Sequence, residues 1–329
     1  MKAIIQGRFG PPDILHLADI DRPEAGAGQV LVRVRAAALN PYDWHMVRGD
    51  PYMARLTGAM GLTRPKSPVA GIDAAGQVEA VGTDVRGLKP GDEVLGFCRG
   101  SFAEYAVTTP DLLVPKPANL TFEQAAAVPM GAVTALRGIR TVGRVQAGQR
   151  VLVNGAGGGV GTFAVQIAAA LGAEVTGVCS ARNAELVRSL GAAHVVDYAR
   201  EDFTDSHAHY DVILDNVGNR PLGRLRRALT STGTLVANGG GSPGHVLGAM
   251  GSMLRLIAVN MFVRQQFRVI LPAAPAGPVH EDLLAVTALI EAGKLTPVVD
   301  RTYPLTDTAE GMRLVEQGHA RGKAVVTVP

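Results

Sequence analysis

A glycine-rich loop near the middle of the chain restricts the fold more than any other feature. The loop Asn154–Gly161 follows the β-branched run Val151–Val153 and opens a segment whose apolar residues recur at helical spacing until Gly172. Glycines at such a point permit a tight turn and a close approach of helix to strand. The order of strand, glycine turn and amphipathic helix predicts a parallel sheet covered by helices.

The same alternation continues beyond the loop. We predict strands at Glu174–Cys179, His194–Asp197, Tyr210–Asp215 and Thr234–Asn238, with a helix at Asn183–Leu190. A chain of 329 residues exceeds the roughly 250–300 residues at which one core stops growing, so two domains are expected. We predict an α/β fold with a doubly wound, Rossmann-type domain over residues 121–264.

The rest of the chain is predicted to form a second, β-rich domain. Residues 1–120 show short strands such as Val30–Arg35, bounded by turns such as Lys89-Pro90-Gly91. Residues 265–329, with a helix at Glu281–Ala292 and a terminal strand at Lys323–Val328, are predicted to return to this barrel-like domain.

Composition excludes several classes of protein. Hydrophobic residues make up 47% of the chain and charged residues 19%, which excludes a disordered protein. Two cysteines, Cys98 and Cys179, provide neither a disulfide framework nor a cysteine metal cage, so we expect a reducing compartment, the cytoplasm. The net charge of +3 is dispersed and the apolar stretches are interrupted, so neither a nucleic-acid nor a membrane partner is predicted.

The glycine loop predicts a dinucleotide cofactor. Backbone N–H groups at Gly158, Gly159 and Val160 open the helix and are expected to bind a pyrophosphate. An acidic residue at the end of the second strand would select NAD, but this chain has Ser180 and Arg182 there, which favours the 2′-phosphate of NADPH. Tyr198 is expected at the adenine side. The alternatives are a plain glycine turn, a solvated Arg182 and a surface Tyr198.

Six ordered motifs give the chain a family resemblance over nearly its whole length. The motifs are Ala38–Trp44, Pro68–Gly76, Lys89–Val94, Phe102–Tyr105, Ala125–Pro129 and Thr134-Ala135. With these motifs the chain resembles the medium-chain dehydrogenase/reductase superfamily, and within it the zinc-independent NADPH:quinone oxidoreductases of the zeta-crystallin type. The resemblance implies a GroES-like β-barrel substrate domain that carries the Rossmann domain as an insertion.

The zinc ligands of the superfamily's alcohol dehydrogenases are replaced in this chain. Asn40 stands at the position of a cysteine, Ile72-Asp73 at that of a His-Glu pair, and Met130 at that of a cysteine or histidine. Isoleucine does not ligate zinc, and Asn with Met is a poor substitute for thiolate and imidazole, so no metal is expected. Hydride transfer without a Lewis acid suits conjugated acceptors such as quinones and α,β-unsaturated carbonyl compounds.

The resemblance also implies site residues. Asn40 is expected to hold the nicotinamide carboxamide or the substrate carbonyl, or else to bond its own turn before Pro41. His45 is a candidate proton donor and Tyr42 a pocket residue, although packing explains both equally. The resemblance implies cofactor contacts for Thr134, Asn216, Gly239, Gly240, Val259, Asn260 and Lys323, of which Lys323 reaches either a cofactor phosphate or only solvent. Val259 and Asn260 are expected in the strand-like run Leu256–Phe262, at the Rossmann-domain edge through which the resemblance implies a homodimer.

We therefore expect an NADPH-dependent reductase of quinones or of activated double bonds. Two alternatives remain open at this stage. One is an enoyl-thioester reductase, which shares the cofactor site, and the other is a non-catalytic NADPH-binding protein with a structural or sensing role.

Overall fold

The structure is a computed structural model, and it describes residues 1–50, 52, 55, 60–206, 208–238, 256, 259–260, 263–270, 278–318 and 320–329. The chain divides into two compact units. Unit 1 comprises Met1–Val133, Ala274–Gly293 and Pro297–Pro329, and unit 2 comprises Thr134–Ala273 and Lys294–Thr296. The sequence predicts domain boundaries after residues 120 and 264, and these boundaries remain predictions.

The strands follow the chain in short segments. Within the described residues they are β1 Lys2–Ile5, β2 His16–Asp19, β3 Val30–Leu39, β4 Asp73–Val81, β5 Glu93–Phe97, β6 Tyr105–Thr108, β7 Leu113–Pro115, β8 Arg150–Asn154, β9 Glu174–Cys179, β10 His194–Asp197, β11 Tyr210–Asp215, β12 Leu229–Ala237, β13 Gln266–Val269, β14 Val299–Pro304 and β15 Lys323–Thr327.

The two longest helices given below follow the glycine loop in unit 2 and lie near the C-terminal end of unit 1. Within the described residues they are α1 Pro41–Arg48, α2 Phe122–Ala126, α3 Pro129–Leu136, α4 Gly159–Ala170, α5 Ala184–Ser189, α6 Leu222–Ala228, α7 Val279–Glu291 and α8 Thr308–Glu316. A π-helical turn, Arg137–Val142, continues α3. In the ranges that the structure covers, no helix has the length and apolar character needed to cross a bilayer.

Unit 1 is built on a seven-stranded sheet with the order β14-β15-β3-β4-β5-β7, to which β6 adds by pairing with β3. The central strand β3 is buried along most of its length because its apolar residues face a core formed by both ends of the unit. Val32 and Phe102 of the first segment pack in one cluster with Met312 and Val326 of the last. The C-terminal segment therefore completes the core of unit 1.

Unit 2 contains a six-stranded parallel sheet with the order β10-β9-β8-β11-β12-β13. In sequence order this is 3-2-1-4-5-6, the arrangement of a doubly wound dinucleotide-binding domain. Leu152 of β8, Ile213 of β11 and Phe267 of β13 belong to its buried core. The fold class predicted from the alternating pattern is confirmed.

Two predicted elements of unit 2 are wrong in detail. The run Leu256–Phe262 was expected to be extended, but Leu256, Val259 and Asn260 are helical. Leu256 is buried in the core of the unit, so packing there outweighs the β preference of the run. Strand β12 begins at Leu229, five residues ahead of its predicted start at Thr234, because Tyr210 also pairs with Leu229 across a register shift.

Candidate active site

The glycine loop leaves room for a ligand at one position and none at another. Gly158 is the N-cap of α4, with φ −91° and ψ 179°, and a Cβ built on it would meet only the carbonyl oxygen of Gly155, at 3.5 Å. A Cβ on Gly161 would lie 2.1 Å from that same oxygen. Gly161 therefore permits the close packing of α4 against the loop, while Gly158 leaves open space in front of the helix start.

The first turn of α4 supplies the groups that a pyrophosphate needs. Gly159 and Val160 are its first two residues, so their N–H groups have no hydrogen-bond acceptor within the helix. Such N–H groups and the helix dipole favour a bound anion. The loop thus fits a dinucleotide, and the specific contacts of Gly158, Gly159 and Val160 stay predictions.

The residues expected near the adenosine ribose follow two neighbouring strands. Asp197, the last residue of β10, pairs in register with Cys179, the last of β9, and the Tyr198 N–H donates to the Cys179 carbonyl at 3.2 Å. Ser180 and Tyr198 are therefore brought together at the carboxyl edge of the sheet. Arg182 lies in the short helical turn that follows Ser180. Their binding roles remain predictions.

Asn183 is a residue that the sequence reasoning missed. Its side chain is buried, and its Oδ1 has no hydrogen-bond partner among the described residues. It lies against the glycine loop, because a Cβ on Gly157 would come within 2.6 Å of its Nδ2. A buried acceptor without a partner fits a ligand hydroxyl or an ordered water. Nothing in the local sequence distinguishes this asparagine from one that begins a helix.

A polar network lies between β8 and β11, where the strand order reverses and where ligands bind in such sheets. The Asn154 Nδ2 donates to Asp215 Oδ1 at 2.9 Å, and the N–H groups of Val217 and Gly218 donate to the same oxygen. Asn216 donates to the Asn154 carbonyl at 3.1 Å. These bonds fix the loop after β11, and the cofactor contact of Asn216 stays a prediction.

The remaining predicted cofactor residues are placed unevenly. Gly239 and Gly240 lie outside the described residues. The Asn260 side chain bonds both the N–H and the carbonyl of Phe267, each at 2.7 Å, so its amide is engaged by β13. Val259 is half-buried beside it, and Thr134 is buried in α3. No contact with a cofactor is established for any of them.

Unit 1 contains a buried polar cluster around Asn40. The Asn40 Nδ2 lies 3.1 Å from Asp43 Oδ2 and 3.1 Å from Asp73 Oδ2, and its Oδ1 accepts a hydrogen bond from Lys323 Nζ. The Asn40 N–H also donates to Asp43 Oδ2 at 2.8 Å, which closes a capping box at the start of α1. Both polar atoms of the Asn40 side chain are thus engaged within the unit. Its bonds to Asp43 correspond to the alternative in which Asn40 bonds its own turn.

Burial raises the pKa of both carboxyl groups of the cluster. Burial, with the nearby Asp73 charge adding to it, raises the pKa of Asp43 to about 7. Burial raises the pKa of Asp73 to about 6, although the Lys323 ammonium opposes this. Burial lowers the pKa of Lys323, against the attraction of both carboxylates. Burial thus disfavours the charged forms of all three groups, and the opposite charges within the cluster stabilise them.

Lys323 is paired within this cluster. Its side chain is only 4% exposed, and its Nζ is 3.6 Å from Asp73 Oδ2. A contact with a cofactor phosphate requires the ammonium to leave the cluster, and that contact stays a prediction.

The same cluster tests the fit of zinc. At the positions of the superfamily's zinc ligands, Asp73 Oδ2 accepts hydrogen bonds from Asn40 and from the Met130 N–H at 3.2 Å, and the Lys323 ammonium stands beside it. A cation at this carboxylate would compete with an ammonium that is already paired. Asn40, Asp73 and Met130 therefore do not form a zinc site.

Helix α1 presents the two candidate catalytic groups. The His45 Nδ1 lies 2.9 Å from the Asp50 carbonyl, so it carries the proton and leaves Nε2 as an acceptor. Burial lowers the pKa of His45, which keeps the ring neutral. Burial also raises the pKa of Tyr42, so its phenol is a donor at neutral pH. On this geometry Tyr42 donates a hydrogen bond more readily than His45, and neither role is established.

Comparisons with known proteins agree with this architecture. A model described as an alcohol dehydrogenase GroES-like domain matches residues 26–118, and one described as a zinc-binding dehydrogenase matches residues 190–326. Mitochondrial NAD(P)H oxidoreductase RTN4IP1 of Bos taurus is 35% identical, over 91% of this chain and 82% of its own.

Two further relatives carry names that specify an acceptor. A chloroplastic NADPH-dependent alkenal/one oxidoreductase of Arabidopsis thaliana is 34% identical over 99% of this chain and 79% of its own. The structure of a quinone oxidoreductase from Coxiella burnetii superposes with a TM-score of 0.85 at 30% identity, covering 100% of this chain and 99% of that one. This chain therefore belongs to the medium-chain dehydrogenase/reductase superfamily, in its zinc-independent, quinone oxidoreductase-like group.

Proposed function

We propose that this protein is an NADPH-dependent reductase that transfers hydride to quinones or to α,β-unsaturated carbonyl compounds without a metal ion. Two features of the chain carry the proposal: unit 2 contains a dinucleotide loop, and unit 1 contains an ammonium–carboxylate cluster at the sequence positions of the zinc ligands. The relatives named for quinone and alkenal/one substrates support the acceptor class.

The choice of NADPH over NADH rests on the end of β9. Ser180 and Arg182 follow Cys179 there, and a guanidinium binds a phosphate through two parallel hydrogen bonds. Asp197 ends the neighbouring strand, but its carboxylate is 3.6 Å from Arg200 and accepts the Ala199 N–H, so its charge is offset. An uncompensated carboxylate, which would repel a 2′-phosphate, is not placed beside Ser180.

The nicotinamide of bound NADPH supplies the hydride, and the protein has to orient the acceptor and stabilise the negative charge that develops on its oxygen. Tyr42 is the donor that we assign to this oxygen, because its phenol is protonated and half-buried. The neutral His45 Nε2 accepts a hydrogen bond and is suited to orienting a hydroxyl or a water. A conjugated acceptor needs less stabilisation of the charge on its oxygen than a simple carbonyl compound does. It is therefore suited to a site in which the neutral phenol of Tyr42 is the donor.

We further propose a homodimer located in the cytoplasm. Strand β13 is one of the two edge strands of the six-stranded sheet, which supports pairing between two copies through this edge. A dimer through this edge has to retain or replace the two bonds between Asn260 and Phe267, so Asn260→Ala is expected to alter the dimer in light-scattering measurements. Cys98 and Cys179 are free thiols, in keeping with a reducing compartment, although the Bos taurus relative is mitochondrial and the Arabidopsis thaliana relative is chloroplastic.

Turnover tests the catalytic proposal. Purified protein is mixed with NADPH or NADH and with 1,4-benzoquinone, a simple enone or crotonyl-CoA in the presence of EDTA, and cofactor oxidation is followed. Turnover of the quinone or enone with NADPH supports the proposal. Turnover confined to crotonyl-CoA indicates an enoyl-thioester reductase, and NADPH binding without turnover of any acceptor indicates a binding protein.

A further inference from the structure

Three strand ends and two helix starts converge on the Asn40 cluster. Strands β15, β3 and β4 are neighbours, with Leu39 in register with Ala324 and Ala38 with Asp73. Lys323, Asn40 and Asp73 therefore lie at the same end of these strands. Helices α1 and α3 begin there, since Asn40 caps α1 and the Met130 N–H of α3 donates to Asp73 Oδ2.

The cluster contains more potential negative charge than positive charge. Asp43 and Asp73 face the single ammonium of Lys323, and all three side chains are buried. Asp73 Oδ1 has no hydrogen-bond partner among the described residues, so the ammonium beside Oδ2 is its main compensation. A buried carboxylate without a counter-charge is strongly unfavourable. Removal of the ammonium is therefore expected to force a rearrangement of the groups that contact Asp73.

The contacts of Lys323 lead directly to the helices that carry the predicted site residues. Its Nζ donates to Asn40 Oδ1, and the Leu39 carbonyl is 3.4 Å away. Asn40 in turn fixes the capping box of α1, which carries Tyr42 and His45. Asp73 fixes the start of α3, which carries Thr134.

We propose that Lys323 is a positioning residue: its ammonium, bonded to Asn40 Oδ1 and 3.6 Å from Asp73 Oδ2, fixes the first turns of α1 and α3 through these two residues. The inference rests on the proposed function for its kinetic consequence, but its structural consequence is independent of any substrate. A lysine suits this place because it supplies one positive charge and several donors to partners at fixed distances.

The test compares two variants with a matched control. Lys323→Met removes the ammonium and keeps the side-chain length, and Lys323→Met combined with Asp73→Asn removes both charges while an amide oxygen still accepts the Met130 N–H. Lys116→Met is the control, because Lys116 is another buried lysine of unit 1, 7% exposed and 3.1 Å from Glu93. It donates to the Leu120 carbonyl at 2.9 Å and belongs to no predicted site.

Two readouts separate positioning from simple stabilisation. The first is kcat and the KM for NADPH. The second is acrylamide quenching of Trp44, the single tryptophan of the chain, which lies in α1 and stacks on His45 at 3.7 Å. In Lys323→Met we expect kcat to fall at least about tenfold with the KM for NADPH within about twofold, and Trp44 quenching to rise. Lys116→Met is expected to lower Tm and to leave both readouts unchanged.

The double variant decides the interpretation, and it also carries the test if Lys323→Met does not fold. Lys323→Met is expected to lower Tm, because Asp73 loses its counter-charge. The double variant is expected to regain this Tm but not kcat, with Trp44 still more accessible, because Asn40 Oδ1 has lost its donor. Recovery of both kcat and Trp44 protection would overturn the proposal and reduce Lys323 to a counter-charge for Asp73. Wild-type protein without turnover would refute the proposed function, while the Trp44 readout would still confirm or refute the positioning role.

Discussion

Alanine at Gly158 is expected to weaken cofactor binding without weakening the fold. The N-cap conformation of Gly158, φ −91° and ψ 179°, is open to alanine, and the nearest atom to its Cβ would be at the ordinary contact distance of 3.5 Å. The methyl group would instead occupy the space in front of the α4 start. It would hold a pyrophosphate away from the N–H groups of Gly159 and Val160.

The expected loss follows from those N–H groups. A hydrogen bond to a charged group contributes about 1.5–3 kcal/mol, so weakening one of them raises the Kd for NADPH by about tenfold to a hundredfold. Gly161→Ala is the matched control, because its Cβ would lie 2.1 Å from the Gly155 carbonyl oxygen. The backbone has to shift there, at a cost of about 1–3 kcal/mol or more of unfolding free energy.

Titration of NADPH fluorescence gives the Kd, and thermal unfolding followed by circular dichroism gives the stability. We expect Gly158→Ala to keep the wild-type Tm with a raised Kd, and Gly161→Ala to lower Tm. A Kd within about twofold of wild type in a folded Gly158→Ala protein would refute the assignment of this loop to the pyrophosphate.

Three further predictions concern selectivity, pH and thiol reactivity. Arg182→Ala should raise the Kd for NADPH at least about tenfold and leave that for NADH unchanged; equal losses for both cofactors would contradict the 2′-phosphate assignment. Burial, aided by the Asp73 charge, raises the pKa of Asp43 from 3.8 to about 7, so between these values the folded state binds a proton that the unfolded state lacks. The free energy of unfolding should therefore fall as pH rises from 4 to 7, by up to about 1.4 kcal/mol per pH unit. In Asp43→Asn, urea unfolding at several pH values should show a smaller fall of this free energy with pH. An unchanged fall would remove Asp43 as its source. Burial raises the pKa of the Cys98 thiol to about 12 and also raises that of Cys179, so a disulfide reagent at pH 8 should modify both only after unfolding; rapid labelling of native protein would contradict their burial.

Local patterns were sufficient for three strands of the parallel sheet in unit 2. Glu174–Cys179, His194–Asp197 and Tyr210–Asp215 have the predicted bounds, because β-branched runs between glycines or charged residues leave few other assignments. The same reasoning failed at Leu256–Phe262, where an equally apolar run is helical at its described residues. Periodicity does not distinguish a short buried strand from a short buried helix.

The Asn40 cluster shows what local patterns do not contain. The resemblance singled out Asn40, for the nicotinamide, the substrate carbonyl or its own turn, and Lys323, for a cofactor phosphate or solvent, but it did not connect the two residues. The structure joins them across 283 residues of sequence through the pairing of β15 with β3. The unpaired Oδ1 of Asn183 is equally invisible in the sequence, because whether a buried acceptor finds a partner among the described residues depends on packing and not on residue type.

The most direct measurement of the central claim is the initial rate of NADPH oxidation by 1,4-benzoquinone and by a simple enone, with NADH as the comparison cofactor and EDTA present throughout. The account predicts turnover that favours NADPH and does not respond to the chelator. Loss of activity in EDTA with recovery on adding zinc, or a preference for NADH, would contradict it.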